Sequence, residues 1–134
     1  MAKEEKPPGA TVLIVEDHAP TREMVRLLLS RAFPACHVVG AESAEQALEQ
    51  CASLNPRVVV MDISLPGMDG IEATRRLKAL LPDTRVVMHS SHDEPIYRDA
   101  GTLAGASAFV AKSRTYSDLV PAIAGLLPPA MLRT

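Results

Sequence analysis

Short apolar runs alternate along this chain with longer stretches in which apolar residues return at helical spacing. Four of the runs are Val12-Leu13-Ile14-Val15, Val58-Val59-Val60-Met61, Arg85-Val86-Val87-Met88-His89 and Ala108-Phe109-Val110-Ala111. They show no polar alternation, which suits strands buried on both faces. The strand-then-helix pattern repeats five times, and such repetition predicts βα units and a parallel sheet.

The helical stretches carry their own punctuation. Pro20 suits the first turn of helix one, where its missing N–H costs nothing. Met24, Leu27, Leu28 and Ala32 form that helix's apolar stripe. Ser43 with Gln46 is a capping box opening helix two, and Asp69 with Glu72 has the same spacing at the start of helix three. Helix three offers Ile71, Leu77, Leu80 and Leu81 as its apolar face and ends at Pro82. Helix four, near Glu94 to Ala104, is the weakest, because Gly101 and Thr102 lower its propensity. Helix five shows Leu119, Ile123, Leu126 and Leu127 at i, i+4, i+7 and i+8. Pro121 is tolerable there only if the helix begins near Ser117, so that the proline falls in the first turn or just beyond.

A length of 134 residues suits one domain with its own core. Residues 1–9 read as a short flexible tail closed by Pro7-Pro8-Gly9, and 10–127 as the domain. Residues 128–134, opening on Pro128-Pro129, read as a C-terminal tail or the start of a linker. The chain is thus either a lone domain or the front part of a longer protein. Aromatic residues make up only 3% with no Trp, so the core must be aliphatic. A formal net charge of -2 leaves no basic footprint for nucleic acid, and direct DNA binding is not expected. Cys36 and Cys51 have no metal-ligand spacing and read as small buried apolar residues. The charged N-terminus has no secretory apolar region, and no apolar stretch approaches a membrane span. A cytoplasmic location follows as the expectation, with no membrane partner.

The chemistry lies where the runs end. The first ends in Glu16-Asp17, the second in Asp62, the third in Ser90-Ser91 and the fourth in Lys112. If the runs are parallel strands, these residues share the carboxyl edge of the sheet, where open α/β sheets place their sites. Two carboxylates ~4 Å apart repel by about 4 kcal/mol at an effective dielectric near 20. Lys112 offsets one charge; the remainder calls for a divalent cation or a raised pKa. Hard oxygen donors without a nearby Cys or His set favour Mg²⁺. Magnesium beside a carboxylate, a hydroxyl and a lysine makes a phosphoryl-transfer site in which the carboxylate is the nucleophile.

Glu16-Asp17, the run from Asp62 through Ile63, Ser64, Leu65, Pro66, Gly67, Met68 and Asp69 to Gly70, then Ser90 and Lys112, each in order at a strand end, resemble the receiver domain of bacterial two-component response regulators. The resemblance covers roughly residues 10–127. The Leu65 to Gly70 stretch, and a Lys112-Ser113 junction where other receivers have Lys-Pro, resemble the helix-turn-helix-output (NarL/FixJ/LuxR-like) subgroup. Without the proline, no cis peptide is demanded there. The resemblance implies a flavodoxin-like α/β fold, a doubly wound (βα)5 three-layer sandwich with a five-stranded parallel sheet in order 2-1-3-4-5.

It implies roles as well. Asp62 would be the phosphoacceptor, with Mg²⁺ held by Asp17 directly, by Glu16 largely through water, by Asp62 and by the backbone carbonyl of Ser64. Ser90 and Lys112 would hold the phosphoryl group. Ser90 and Phe109 would be the switch pair, the ring turning inward as the serine moves; a Phe109 packed permanently as core is the alternative. The function implied is a phospho-accepting signalling switch that regulates transcription. It would take its phosphoryl group from a partner histidine kinase or phosphotransfer protein and alter the surface of helix four, strand five and helix five, with homodimer formation on phosphorylation as one outcome. It would catalyse only its own phosphorylation and dephosphorylation, and so would not otherwise be an enzyme.

Two other functions compete. A haloacid-dehalogenase-type phosphatase also uses an aspartate nucleophile and Mg²⁺, but needs a second Asp two residues on, where this chain has Ser64. A phosphorylation-independent interaction module would be expected to lack the acidic pair, the Asp or the Lys, and all are here. His18, His89 and His92 fit no zinc spacing and read as ordinary hydrogen-bonded side chains. His89 occupies a strand position that usually suits an apolar residue, on the side away from Ser90.

Overall fold

The computed structural model describes residues 9–132. The strands are β1 (Thr11–Val15), β2 (His37–Ala41), β3 (Val58–Met61), β4 (Arg85–Ser90) and β5 (Ala108–Ala111). The helices alternating with them are α1 (Ala19–Ala32), α2 (Ala44–Leu54), α3 (Gly70–Leu80), α4 (Pro95–Ala104) and α5 (Val120–Ala124). Every strand pair is parallel and the sheet order is β2-β1-β3-β4-β5, the flavodoxin-like order the resemblance implies.

Successive side chains of a strand point to opposite faces, and both faces are covered. Val12, Ile14, Val58, Val60, Val87 and Val110 pack under Val25 and Leu29 of α1 and Ile123 of α5. Leu13, Val15, Val59, Met61, Val86 and Met88 pack under Ala47 and Cys51 of α2 and Ala73 and Leu77 of α3. All four residues of β3 are buried, so its sequence shows no alternation. Each buried Val or Leu stabilises the fold by roughly 1.5–3 kcal/mol relative to leaving it exposed.

The helix faces depart from the periodic reading in detail. In α1 the buried centre is Val25 and Leu29. Met24, Leu28 and Ala32 flank it, while Leu27 is 42% exposed. In α3 the buried face is Gly70, Ala73, Thr74 and Leu77, and Leu80 is 63% exposed. Small residues form that contact because the helix lies close to the sheet. Helix α4 is complete despite its poor propensity. Gly101 is buried, and a Cβ there would stand 3.1 Å from Met88 Cγ and 3.9 Å from the Phe109 ring. The glycine therefore lets α4 approach β4 and β5.

The fifth helical segment begins earlier than Ser117. A 3-10 turn at Lys112–Arg114 follows β5 directly, then a π-helical turn at Thr115–Leu119, then α5. Pro121 is thus the second residue of α5 but lies inside a continuous helical segment that starts at Lys112. A proline ring clashes with the carbonyl four residues back, and the wider π turn ahead of it opens that spacing. Leu126 and Leu127 lie past the Gly125 cap, with Leu127 still buried.

After Pro128 the chain makes a 3-10 turn, Pro129–Leu132, and the Ala10 N–H donates to Met131 Sδ at 3.2 Å. The N-terminal tail expected over residues 1–9 lies outside the described residues except for Gly9. Cys51 is buried and Cys36 half-buried, both as free thiols. No cis peptide occurs among the described residues, and none of their helices is long and apolar enough to cross a membrane.

Candidate functional site

Register places the acidic residues side by side. Val15 pairs with Met61 at the ends of β1 and β3, so Glu16 and Asp62 follow on neighbouring strands. The Asp62 N–H donates to Val15 O at 3.1 Å, and the Glu16 N–H to Ala41 O at 3.0 Å. Glu16 is 3% and Asp62 5% exposed, whereas Asp17 is open to solvent. One carboxylate oxygen from each of Glu16, Asp17 and Asp62 lies within 4.8 Å of the others. Lys112, at the end of β5, directs its ammonium to Glu16 Oε1 at 2.7 Å and Asp62 Oδ2 at 3.2 Å.

Ser90 ends β4 fully buried, and its Oγ accepts the His92 N–H at 3.0 Å. Its hydroxyl proton stays available to an acceptor. Ser91 is exposed. Ser64 is an exposed loop residue whose N–H reaches Asp62 Oδ1 at 3.3 Å. Phe109 is half-buried on β5, with the Arg98 guanidinium 4.6 Å over its ring in a cation–π contact. The ring is thus neither deep core nor free.

Arg22 and Glu45, outside the sequence motif, together with the motif's own Gly67, Asp69 and Gly70, hold this arrangement. Arg22 Nη1 donates to Glu16 O at 2.7 Å and steadies the acidic turn. Gly67 adopts a left-handed φ of 78°, which favours glycine. It lies against Glu45 of α2, whose Oε2 accepts the Met68 N–H at 3.0 Å. The Gly70 N–H donates to Ile63 O at 2.9 Å, and Asp69 caps α3 through the Glu72 N–H at 2.9 Å. The loop leaving Asp62 is therefore tied at both ends.

The three histidines do not converge. His18 caps α1, its Nδ1 accepting the Thr21 N–H at 3.3 Å, and its own N–H donates to Glu16 Oε2 at 3.1 Å. His92 stacks on Tyr97 with ring centroids 4.9 Å apart. His89 is buried and meets Thr115 Oγ1 through Nε2 at 2.8 Å.

Burial first, and then the neighbouring Glu16 charge, raise the Asp62 pKa; Lys112 and the Ser64 N–H pull it the other way. Burial opposes the charge on Lys112, but its bonds and attraction to Glu16 and Asp62 outweigh that and raise its pKa. Three carboxylates against one ammonium leave two negative charges. That charge and the all-oxygen donor set fit a Mg²⁺ ion, whose octahedral bonds of about 2.0–2.1 Å require donor oxygens roughly 3–4 Å apart.

Burial, and secondarily the Lys112 charge, push the His89 pKa from 6.5 down to about 4. An unfolded chain therefore binds this proton as pH falls through 6.5 while the folded chain resists it. Stability present above pH 6.5 should be lost between about 6.5 and 4, on the order of 3 kcal/mol in all. Asp62, with its pKa raised, contributes with the opposite sign, so the comparison is between the parent and His89→Leu. Denaturant midpoints from pH 7 to 4 should fall more steeply for the parent; parallel curves would refute the assignment.

The sequence model of the family described as response regulator receiver domain matches residues 12–124. Transcriptional regulatory protein DegU of Brevibacillus brevis is 34% identical over 112 residues, covering 84% of this chain and 48% of its own length. This chain spans about half the length of the curated relatives it matches. A solved two-component response regulator of the LuxR family, from Aurantimonas sp. SI85-9A1, is 32% identical with a TM-score of 0.83, over 92% of this chain and 93% of that one. Response regulator TrrA of Thermotoga maritima, solved in complex with Mg²⁺ and BeF, is 25% identical with a TM-score of 0.79, over 88% of this chain and 99% of that one.

Proposed function

The chain belongs to the response regulator receiver domain family, and from that premise we propose that it is a signalling switch phosphorylated on Asp62 by a histidine kinase or a phosphotransfer protein. The observation that carries this reading is the buried Asp62 carboxylate beside Glu16, with the Lys112 ammonium bonded to both. An Asp62 oxygen attacks the donor phosphorus, an acyl phosphate forms, and the donor's P–N bond breaks with its electron pair leaving on the imidazole nitrogen. Lys112 exchanges a carboxylate contact for a phosphoryl oxygen, and the Ser90 hydroxyl donates to another. Glu16, Asp17, Asp62 and the Ser64 carbonyl would hold Mg²⁺, which when bound neutralises charge on the transferring group. The protein modifies only itself and works in the cytoplasm.

The response passes to the surface of α4, β5 and α5. Ser90 leads into the loop before α4, and Phe109 lies on β5 against Gly101 and Arg98 of α4. Ile96 and Leu103 of α4 and Tyr116 after β5 are exposed apolar groups that a partner or a second copy would cover. A transcriptional output accords with relatives that are transcriptional regulators. A few charge-assisted hydrogen bonds, each about 1.5–3 kcal/mol, suffice to shift a balanced equilibrium by ~10²-fold.

Amide spectra test the metal site and the switch together. Mg²⁺ alone should move resonances at Glu16, Asp17, Asp62 and Ser64, and Asp17→Asn should remove most of that response. Adding beryllofluoride as a phosphoryl mimic should extend the changes to Ser90, Phe109 and α4. An unchanged Mg²⁺ response in Asp17→Asn would move the metal elsewhere. Beryllofluoride shifts confined to the Asp62 pocket would sink the switch.

A further inference from the structure

We propose that His89 is a positioning residue for Lys112, anchoring the turn after β5 to β4 through Thr115. Its consequence for phosphoryl transfer rests on the reading above; its geometry does not. Ser90 pairs with Ala111 and His89 with Val110 across β4 and β5. The His89 imidazole reaches past β5 to Thr115 Oγ1 at 2.8 Å. The same hydroxyl donates its one proton to Lys112 O at 2.7 Å, and the Thr115 N–H goes to that carbonyl as well. With its proton committed, Thr115 can only accept from the ring, so His89 carries its hydrogen on Nε2.

Both side chains are buried, at 3% and 4% exposure. A buried polar pair in an aliphatic sheet costs free energy unless each group satisfies the other, and a valine would fill the position without that cost. What the pair adds is a bonded path from the backbone of Lys112 to the strand that ends in Ser90. The Lys112 ammonium is the one cation between Glu16 and Asp62 among the described residues. Its backbone sits in a three-residue 3-10 turn, whose hydrogen-bond geometry is poorer than that of an α-helix, followed by a π turn. Without the His89 anchor, that turn loses its hydrogen bond to β4 and keeps the end of β5, the Lys112 ion pairs and the buried Leu119. A displacement near 1 Å at a reacting group costs up to ~10²-fold in rate.

The test uses the parent chain, His89→Leu, His89→Gln, Thr115→Val, the double variant His89→Leu/Thr115→Val, and Asp62→Asn. Acetyl phosphate with saturating Mg²⁺ is the phosphodonor. His89→Leu and Thr115→Val should each slow labelling about 10-fold, and the double variant should be no slower than the worse single. His89→Gln, which keeps an N–H donor, should recover most of the rate. Without any phosphodonor, the Lys112 Nζ resonance of His89→Leu should move toward that of a solvated lysine. A leucine variant with parental labelling and an unmoved Lys112 signal overturns the proposal. So does a glutamine variant as slow as the leucine one, since ring packing and not the donor would then matter. If the leucine variant does not fold, Thr115→Val and His89→Gln decide alone. Failure of the phosphoryl-transfer reading is separate: it shows as an unlabelled parent or an undiminished Asp62→Asn, and the Lys112 resonance still decides the role of His89.

Discussion

Asp62→Asn should reduce phosphoryl uptake to background while leaving the fold intact. Acetyl phosphate or a cognate kinase with Mg²⁺ should add one phosphoryl group to the parent chain, read by intact mass, and none to the variant. The amide oxygen of asparagine keeps the shape of the carboxylate but is a poor nucleophile and forms no acyl phosphate. The fold should survive because the charge on Asp62 works against it: burial and the Glu16 carboxylate both raise its pKa. Lys112 keeps its shorter bond, 2.7 Å to Glu16, when the 3.2 Å contact to Asp62 weakens. Near neutral pH the variant should therefore unfold at the parental denaturant midpoint or above it. Undiminished labelling would place the acceptor on another residue. Lost labelling accompanied by a collapsed midpoint would mean that Asp62 is structural first.

How much of this was legible beforehand follows from how each contact is made. The strand ends and the residues that follow them were readable because a doubly covered sheet makes uninterrupted apolar runs, and each run stops on the residue that reaches the edge. Sheet order came only through the family resemblance, since periodicity within a strand says nothing about its neighbours. The helix faces depart from apolar periodicity where small residues carry the contact: Ala73 and Thr74 lie against the sheet while the larger Leu80 projects into solvent. The early start of the fifth helical segment was hidden because Lys112–Arg114 is polar and Pro121 argued for a later one. Supporting residues left no local signal. Glu45 is 23 residues from Met68, and His89 is 26 from Thr115. A polar side chain inside an apolar run was the only sign that His89 had a partner.

Gly70→Ala should both destabilise the domain and impair Asp62. Gly70 did carry a signal, being a poor helix former at the first position after the Asp69 cap. In an exposed helix the substitution would gain about 1 kcal/mol from propensity. Here the sign reverses. A Cβ on Gly70 would fall 2.8 Å from the Asp62 carbonyl carbon and 3.0 Å from Ile63 Cα, and closer still to the Asp62 carbonyl oxygen. These are backbone atoms in the segment that aims the carboxylate, so no side-chain rotation relieves the overlap. Either α3 lifts from the sheet or the Asp62 loop moves. Overpacking of this kind costs about 1–3 kcal/mol and occasionally more, so a net loss of roughly 2–3 kcal/mol and several degrees in Tm is expected. Labelling of Asp62 should slow in the folded fraction as well, because the carboxylate leaves its register with Lys112. Gly101→Ala is the control. Its added Cβ would stand 3.1 Å from Met88 Cγ, a flexible side chain that can yield, so its loss should be smaller and its labelling close to parental. A Gly70→Ala variant with parental Tm and labelling would show slack beneath Asp62 that the packing of α3 denies.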